Sequence, residues 1–327
     1  MENSKRLIDW AISNSKKLNL EVTTVEWIYE WLPGYFDYQI KIKLDNNIYT
    51  GRGIDFIETN AFAKGLAEAL ERFAVSFLQN RWCSAAYYDY VGAAQRAYYE
   101  LLAIDRVLCH HFCKKKLRIV SFDEIKLIAG INHLIKILEK NQLKMEIYEL
   151  RPSIDAKVVS TLIWSTNSKH PIQGFVAGFG CDRNLKDAII HSILECLRNA
   201  VAIFVGRLKA KPEELFCSPT NPRWHFWQAL KKESREYLEK YLVPKPGEEI
   251  NLEVEDISIN DVKFTQINTL NSIFPDIPLV FVQAISDKLI KPQFGKFSPD
   301  TYTMNRLKVF NGGPLEIDTN IPPHFYG

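Results

Sequence analysis

The chain has 327 residues, 46% of them hydrophobic, which is enough for a sizeable core in one large domain or two smaller ones. Its 41 basic and 39 acidic residues nearly cancel, so no charge signal points to nucleic acid or a membrane surface. No signal-peptide pattern opens the sequence, no apolar run reaches the roughly 18 residues of a membrane span, and the six cysteines form no CxxC pair. We therefore expect a cytoplasmic protein that binds neither nucleic acid nor a membrane.

The first half, about residues 1–90, is predicted to contain a helix, a strand, a hairpin and a long helix. Apolar spacing predicts an amphipathic helix over 5–18, and residues 20–28 resemble a strand. YFDYQIKIKL at 35–44, the turn DNN at 45–47 and the following IYTGRG predict a hairpin, whose glycines we interpret as a tight strand exit. The predicted buried stripe of the long helix consists of Phe62, Leu66, Leu70, Phe73 and Phe77.

The second half, about residues 120–206, is predicted to repeat this order. It has a helix at 131–143, a strand at 144–150 and another strand at 157–164, which is followed by IQGFVAGFG and a second long helix. Two halves with the same order of elements predict an α+β fold with pseudo-two-fold symmetry.

The remaining segments connect or extend the two halves. Residues 91–115 predict one more helix, and residues 207–327 predict an extension of helices and strands whose last clear strand is 278–287. We therefore expect a single domain over 1–327.

Two copies of one motif support this symmetry. GRGIDFIETNAFAKGLAEALER at 51–72 and GFGCDRNLKDAIIHSILECLRN at 178–199 align with a constant offset of 127 residues. The identical pairs are Gly51 and Gly178, Gly53 and Gly180, Asp55 and Asp182, Ala61 and Ala188, Glu68 and Glu195, and Leu70 and Leu197. The copies differ where Glu71 and Arg72 become Arg198 and Asn199, so the two half-sites are expected to have different roles.

Acidic residues on the first long helix suggest a cation site. Glu68 and Glu71 lie one turn apart and could hold a divalent cation that prefers oxygen ligands. Lys64, Glu68 and Arg72 also recur every four residues, as in a ladder of salt bridges along the helix. The spacing alone favours this ladder over a cation site.

The second long helix carries Asp187, His191 and Glu195 as a polar stripe on an otherwise apolar surface. Buried carboxylates need a partner or a metal. If the halves are related by symmetry, Glu195 would approach Glu68 and Glu71, and three converging acids would repel one another unless cations were bound. With this arrangement, a magnesium site and a salt-bridge ladder become equally good interpretations.

Two other patterns carry weaker signals. The GxG glycines are not a phosphate-binding loop, because GxxxxGK[ST] and a strand-turn-helix GxGxxG are both missing from the sequence. CHHFC at 109–113 places two cysteines and two histidines on one apolar helix, which favours packed thiols over part of a zinc site.

The first motif copy resembles the first signature of the YcaO family, a glycine turn followed by an alanine-rich helix that ends in ExxER. LRNAVAIF after the second copy, AYYELLAIDRVLCHHF in the middle and FGKFSPDTY at 294–302 also resemble family segments. The resemblance implies a YcaO-like fold that binds ATP and Mg²⁺. It also implies activation of a backbone amide of a ribosomally made peptide, which gives an azoline, a thioamide or an amidine.

The resemblance also implies roles for individual residues. Glu68, Glu71 and Glu195 are expected to bind Mg²⁺. The residues expected to bind ATP are Lys64, Arg72, Glu100 and Asp187. Expected partners are a ribosomal precursor peptide, as in bacteriocin biosynthesis, a protein that presents it, and a second copy in a homodimer.

The sequence departs from the family pattern at several places. Lys64 replaces a serine, Ala103 and Ile104 replace a glutamate and an arginine of the middle signature, and Arg198 replaces a glutamine. The SNG-type stretch and the PxPxP tail are missing from this sequence. The leading hypothesis is a peptide-modifying enzyme, the alternative is a catalytically silent subunit that binds a peptide or partner enzyme, and the third is an unrelated zinc protein.

Overall fold

The computed structural model describes residues 2–78, 82–204, 222–295, 297–318 and 321–324. Helices and antiparallel strands both occur throughout these segments, which confirms the predicted α+β class. Within the described segments, none of the helices has both the length and the apolar character needed to span a bilayer.

The helices of the described segments are mostly short, apart from three long ones. They are α1 (Glu2–Ser13), α2 (Ser15–Leu18), α3 (Trp27–Trp31), α4 (Glu58–Val75), α5 (Tyr90–Cys113), α6 (Phe122–Ile125), α7 (Ile131–Lys140), α8 (Leu185–Phe204), α9 (Pro222–Ala229), α10 (Lys232–Tyr241), α11 (Thr269–Ile273) and α12 (Thr301–Asn311).

The strands form three antiparallel sheets, with orders β1-β2-β3, β4-β10-β9 and β5-β6-β7-β8. The strands are β1 (Glu21–Thr24), β2 (Phe36–Leu44), β3 (Asn47–Asp55), β4 (Ser84–Tyr87), β5 (Arg118–Ile119), β6 (Leu143–Leu150), β7 (Lys157–Ser165), β8 (Val176–Asp182), β9 (Lys263–Ile267) and β10 (Val280–Ile285).

The chain divides into two compact units. The first contains Met1–Glu100 and Val262–Ile285, and the second contains Leu101–Asp261 and Ser286–Gly327. The first unit thus recruits β9, α11 and β10 from the segment that the sequence analysis assigned to a C-terminal extension. β9 and β10 are two of the three strands in the second sheet of this unit, and β4 is the third.

In the first unit, α4 packs its apolar face on the β2–β3 hairpin. Leu66, Leu70 and Phe73 are fully buried there, as predicted, whereas Phe77 is 55% exposed. The prediction for Phe77 was wrong because α4 ends at Val75, so the helical periodicity no longer applies to that residue. The predicted strand over 20–28 is also shorter than expected, since Trp27–Trp31 forms α3.

The glycines of the first motif copy lie inside β3 and not in a turn, which corrects our interpretation of them as a strand exit. A Cβ on Gly51 would lie 2.0 Å from the carbonyl oxygen of Gly65, and one on Gly53 would lie 1.9 Å from that of Ala61. Both positions therefore require glycine so that the helix backbone can approach the strand.

The second copy uses the same packing in the second unit. Gly178 and Gly180 lie inside β8, and a Cβ on Gly180 would lie 1.9 Å from the carbonyl oxygen of Ala188 on α8. Because Ala188 aligns with Ala61 in the sequence repeat, the repeat encodes one mode of contact between a helix and a strand.

Candidate active-site cleft

A cleft of about 490 Å³ opens in the first unit between α1, α4, β4 and the first turns of α5. This volume is in the range of small-molecule sites. The cleft is lined by Asn3, Ser4, Asn60, Ala63, Lys64, Ala67, Glu68, Glu71, Ser84, Ala85, Ala86, Tyr87, Tyr88, Arg96, Glu100 and Leu279.

Glu68 is held by the backbone of β3. Its Oε2 accepts a hydrogen bond from the backbone N–H of Arg52 at 2.8 Å, and its Oε1 accepts one from Nη2 of Arg72 at 2.6 Å. Arg52 lies between the two glycines, so the close approach of α4 to β3 brings the carboxylate within reach of this N–H. Glu68 therefore joins α4 to β3 in addition to lining the cleft.

Glu71 is the acid of the cleft that is held by β4. Its carboxylate accepts hydrogen bonds from Oγ of Ser84 at 2.9 Å and from the backbone N–H of Ala86 at 3.2 Å. Burial, together with the negative charges of Glu100 and Glu68, raises the pKa of Glu71 to about 8. Three carboxylates thus interact electrostatically across one wall of the cleft.

Asp105, a buried acid of the second unit, shows how neighbouring cations change the pKa of a carboxyl group. It accepts hydrogen bonds from Nε and Nη2 of Arg306 at 2.9 and 2.7 Å, and from Nη1 of Arg106 at 2.5 Å. These guanidinium groups more than offset the effect of burial and lower the pKa of Asp105. The raised pKa of Glu71 therefore reflects unfavourable charge that a cation could relieve.

Lys64 brings positive charge to the same face of α4 as Glu68 and Glu71. Its Nζ lies 2.6 Å from Oδ2 of Asp55 at the end of β3, and its side chain is 44% exposed along the cleft. The other oxygen of Asp55 accepts the backbone N–H of Ile57 at 2.9 Å, which fixes the chain entering α4. The ammonium group of Lys64 is thus anchored beside the acids.

The remaining wall of the cleft is aromatic. The ring centroids of Tyr87 and Tyr88 are 5.1 Å apart, and the guanidinium carbon of Arg96 lies 4.5 Å from the centroid of the Tyr87 ring. Both tyrosines follow the strand residues that hold Glu71. One short segment therefore positions an acid of the cleft and provides its aromatic part.

The second unit repeats the anchoring of the glutamate. Oε2 of Glu195 accepts the backbone N–H of Phe179 at 2.6 Å, and Oδ1 of Asp182 accepts that of Asn184 at 3.1 Å. These bonds match those made by Glu68 and Asp55 in the first copy. Asp187 is exposed in the first turn of α8.

The structure brings together four of the seven predicted site residues. Lys64, Glu68, Glu71 and Glu100 line one cleft, and Arg72 reaches its edge through Glu68. The residues lining this cleft all belong to the first unit, whereas Glu195 and Asp187 belong to the second. The convergence of Glu195 with the other glutamates remains a prediction.

Sequence reasoning did not assign Ser84, Tyr87, Tyr88 or Arg96 to the site. The first three lie on or next to β4, a four-residue strand that pairs with β10 almost two hundred residues later. Arg96 lies on α5, and a single arginine on a helix carries no specific signal in a sequence. A run of two tyrosines after SAA was the available signal, but alone it has no specific meaning.

The CHHFC segment is packed into the second unit. Nδ1 of His110 pairs with the carbonyl oxygen of Lys115, and its Nε2 accepts the backbone N–H of Arg151, so both ring nitrogens are used. Burial lowers the pKa of His110 to about 3 and raises that of Cys113 to about 12. These neutral, engaged side chains are consistent with packing and oppose the zinc hypothesis.

The donor set of the cleft suits a hard cation that is shared with a ligand. Across the part of the chain that the structure describes, no three His, Cys, Asp or Glu side chains form a preformed metal-binding group. Mg²⁺ usually takes one or two carboxylates, with phosphate oxygens and water completing its octahedron. The oxygens of Glu71, Glu68 and Glu100 fit that requirement, and their mutual repulsion favours a bound cation.

Comparison with known proteins identifies the fold. No family model matches the sequence, and no curated protein is similar to it in sequence. The structure of YcaO from Methanopyrus kandleri, bound with AMPPCP and Mg²⁺, superimposes with a TM-score of 0.58 at 10% identity and covers 91% of this chain and 95% of that one. A heterocyclase in complex with substrate and cofactor gives a TM-score of 0.65 at 12% identity. That match covers 95% of this chain but 57% of the heterocyclase. The chain therefore has a YcaO-like fold, as the resemblance predicted.

Proposed function

We propose that the protein is an ATP- and Mg²⁺-dependent enzyme that modifies a ribosomally synthesised peptide by activating a backbone amide. The observation that carries the proposal is one cleft on a YcaO-like fold in which Glu68, Glu71 and Glu100 lie beside Lys64. Carboxylates for Mg²⁺ and cations for phosphate oxygens are the two groups that phosphoryl transfer requires of a protein.

Glu71, Glu68 and Glu100 would hold Mg²⁺ together with the phosphates of ATP. When bound, the metal would neutralise phosphate charge and orient the triphosphate. Ser84 positions Glu71 through its 2.9 Å hydrogen bond, and the backbone of β3 positions Glu68. The carboxylates are thus pre-oriented by the strands on which they are anchored.

Lys64 and Arg72 would face the phosphates. Each is now paired with an acid at 2.6 Å, and each side chain remains substantially exposed, so either can exchange or share its partner with an anion. Glu195 and Asp187 are proposed to contribute from the second unit. The support for Glu195 is that its carboxylate is anchored to Phe179 in the way that Glu68 is anchored to Arg52.

The proposed chemistry makes the amide oxygen a leaving group. A side-chain thiol or hydroxyl of the peptide adds to the amide carbon, the oxygen takes the γ-phosphoryl group of ATP, and phosphate then leaves with that oxygen. The products are ADP, phosphate and an azoline, whereas attack by sulfide or an amine would give a thioamide or an amidine. The structural similarity to a heterocyclase in complex with substrate supports this reaction class.

A silent subunit is the second candidate, and one observation favours it. Ala103 and Ile104 occupy positions where the middle signature of the YcaO family has a glutamate and an arginine, and both are buried in α5. Neither can contact a nucleotide through a charged group. In that case the cleft would bind a ligand without turning it over, and the protein would serve to hold a peptide or a partner enzyme.

Nucleotide binding and turnover separate the two candidates. Calorimetry with ATP and Mg²⁺ should show binding for the native chain and strongly weakened binding for Glu68→Gln and Glu71→Gln. The matched control is Glu21→Gln, which changes an exposed acid on β1 away from the cleft. Lack of ATP binding under all conditions would overturn the proposal.

Hydrolysis is then measured with and without a precursor peptide rich in Cys, Ser and Thr, and mass spectrometry of the peptide detects the loss of water that accompanies azoline formation. ATP binding without peptide modification or hydrolysis would identify the silent subunit.

We further propose that the protein acts in the cytoplasm with a precursor peptide and a protein that presents it. Within the described segments, the cysteines are buried thiols, as expected in a reducing compartment; they are Cys83, Cys109, Cys113, Cys181 and Cys196. A homodimer is part of the same proposal.

A further inference from the structure

We infer that Tyr87 and Tyr88, with Arg96, form the nucleobase end of the cleft. This inference rests on the proposed function and adds a specific subsite to it. Aromatic rings and planar guanidinium groups stack on the faces of bases, whereas the acids of the same cleft suit the phosphate end. The nucleotide would therefore bind with its base against Tyr87 and Tyr88 and its phosphates near Glu68 and Glu71.

The ring of Tyr87 is held in place by the start of α5. A Cβ on Gly92 would lie 2.0 Å from Cδ1 of Tyr87, so the ring packs directly on the helix backbone where a side chain is missing. The guanidinium group of Arg96, one turn further along, lies 4.5 Å from the ring centroid and is itself exposed. This pair offers a planar, positively charged surface to a ligand in the cleft.

Tyr88 is fixed from the other side. Its hydroxyl donates to Oγ of Ser4 on α1 at 3.2 Å, and Ser4 donates in turn to Oδ1 of Asn60 on α4 at 2.8 Å. This chain of hydrogen bonds joins three elements that line the cleft. A rigid ring loses little entropy when a base stacks on it, so the arrangement is suited to binding.

Ser84, which holds Glu71, and Tyr87 are the first and last residues of β4, and both border the cleft. The acidic part and the aromatic part of the cleft therefore adjoin opposite ends of one short strand.

Stacking is tolerant of base identity but scales with the area of the ring, so purines should bind more tightly than pyrimidines. The test uses calorimetric titration of the full chain with three probes in the presence of Mg²⁺: ATP, UTP and inorganic tripolyphosphate. We expect ATP to bind most tightly, UTP less tightly and tripolyphosphate least.

Substitutions of the two tyrosines identify which side chains bind the base. Tyr87→Ala and Tyr88→Ala should each weaken ATP binding about 5- to 150-fold, while tripolyphosphate binding stays the same. Tyr87→Phe keeps the ring and should retain ATP affinity. Tyr90→Ala removes an exposed tyrosine just beyond the wall and is the matched control.

The outcomes distinguish the inference from the proposed function. If ATP binds but both alanine variants bind it as tightly as the native chain, or tripolyphosphate binds as well as ATP, the inference is overturned and the proposed function survives. If none of the three probes binds the native chain, the proposed function itself fails, and the inference fails with it. Equal unfolding curves for Tyr87→Phe and the native chain establish that the variant is folded.

Discussion

The two motif copies share their backbone contacts and differ in the side chains that face outward. In both, two glycines in a strand admit a helix, and a glutamate on that helix accepts the backbone N–H between those glycines. The copies then diverge, because Glu71 of the first becomes Arg198 of the second. What is repeated is a way of joining a helix to a strand, and what varies is the charge that this junction displays.

This difference explains why Glu71 says more about function than Glu68 or Glu195 does. Glu68 and Glu195 are constrained by the scaffold, so their presence alone says little about metal binding. Glu71 has no such duty toward its strand and is held by Ser84 of β4, on the wall of the cleft. The acid that is not part of the repeat is therefore the better indicator of function.

The largest effect should come from adding a methyl group at the shared contact. Gly53→Ala and Gly180→Ala each place a Cβ 1.9 Å from a carbonyl oxygen, of Ala61 or Ala188, and should each cost about 3 kcal/mol or more of unfolding free energy. Urea unfolding measures both, and Ile48→Ala, an exposed change on β3, should stay within about 0.5 kcal/mol. A mild effect at one glycine only would show that the contact is not equivalent in the two copies.

The next effect should be a pH dependence of the unfolding free energy that comes from Glu71 in the first copy. A carboxyl group whose pKa is raised on folding stabilises the folded state below its unfolded pKa, and this stabilisation is lost as the pH rises through the folded value. For Glu71 the window runs from the ordinary pKa of 4.5 to about 8, and roughly 5 kcal/mol of unfolding free energy should be lost across it.

Urea unfolding at pH 5 and pH 8 tests this. Glu71→Gln should be less sensitive to pH than the native chain. Arg198→Gln, at the corresponding position of the second copy, should retain the native sensitivity, because arginine stays charged throughout this range. An unchanged pH dependence in Glu71→Gln would contradict the assignment.

A smaller effect should be shared by the anchoring glutamates. Glu68→Ala and Glu195→Ala remove the acceptor for the N–H of Arg52 or Phe179, at a cost of about 1–3 kcal/mol. The glutamine variants keep an acceptor oxygen and should cost less in both copies when unfolding is measured by denaturant. Equal costs for alanine and glutamine would show that the charge, and not the hydrogen bond, stabilises the junction.

The smallest effect on stability is expected at Lys64. Its ion pair with Asp55 is half exposed, so Lys64→Gln should change the unfolding free energy by less than about 1 kcal/mol. Affinity for ATP and Mg²⁺ should nevertheless fall, and Lys64→Arg should retain it. A loss of stability without a loss of affinity would assign the lysine to the scaffold alone.

The sequence was informative where periodicity is local. The β2–β3 hairpin and the helices α4, α5 and α8 follow from alternation and helical spacing, and Asp45 and Asn46 adopt the positive φ angles of a two-residue turn. The glycines of β3 and β8 were misread because glycine in a sequence usually marks a turn, and only the packed helix reveals the close approach. The strand predicted over 20–28 ends at Thr24, because Trp27–Trp31 forms α3.

The cleft was predictable only in part for a related reason. Glu68 and Glu71 stand out by their spacing on one helix, so sequence reasoning could assign them. The aromatic wall depends on β4, which exists because Val280 and its neighbours pair with Tyr87 from far along the chain. Such a long-range pairing leaves no periodic trace in four residues.

The position of β3 and β8 has one more consequence. Each is the terminal strand of its sheet, and an open strand edge invites the addition of another chain and thus aggregation. At Arg52 and Phe179 the outward N–H is already occupied by a glutamate of the same unit. An incoming strand would have to displace a charged group at the centre of each edge. The hydrogen bond that joins helix to strand therefore also disfavours polymerisation.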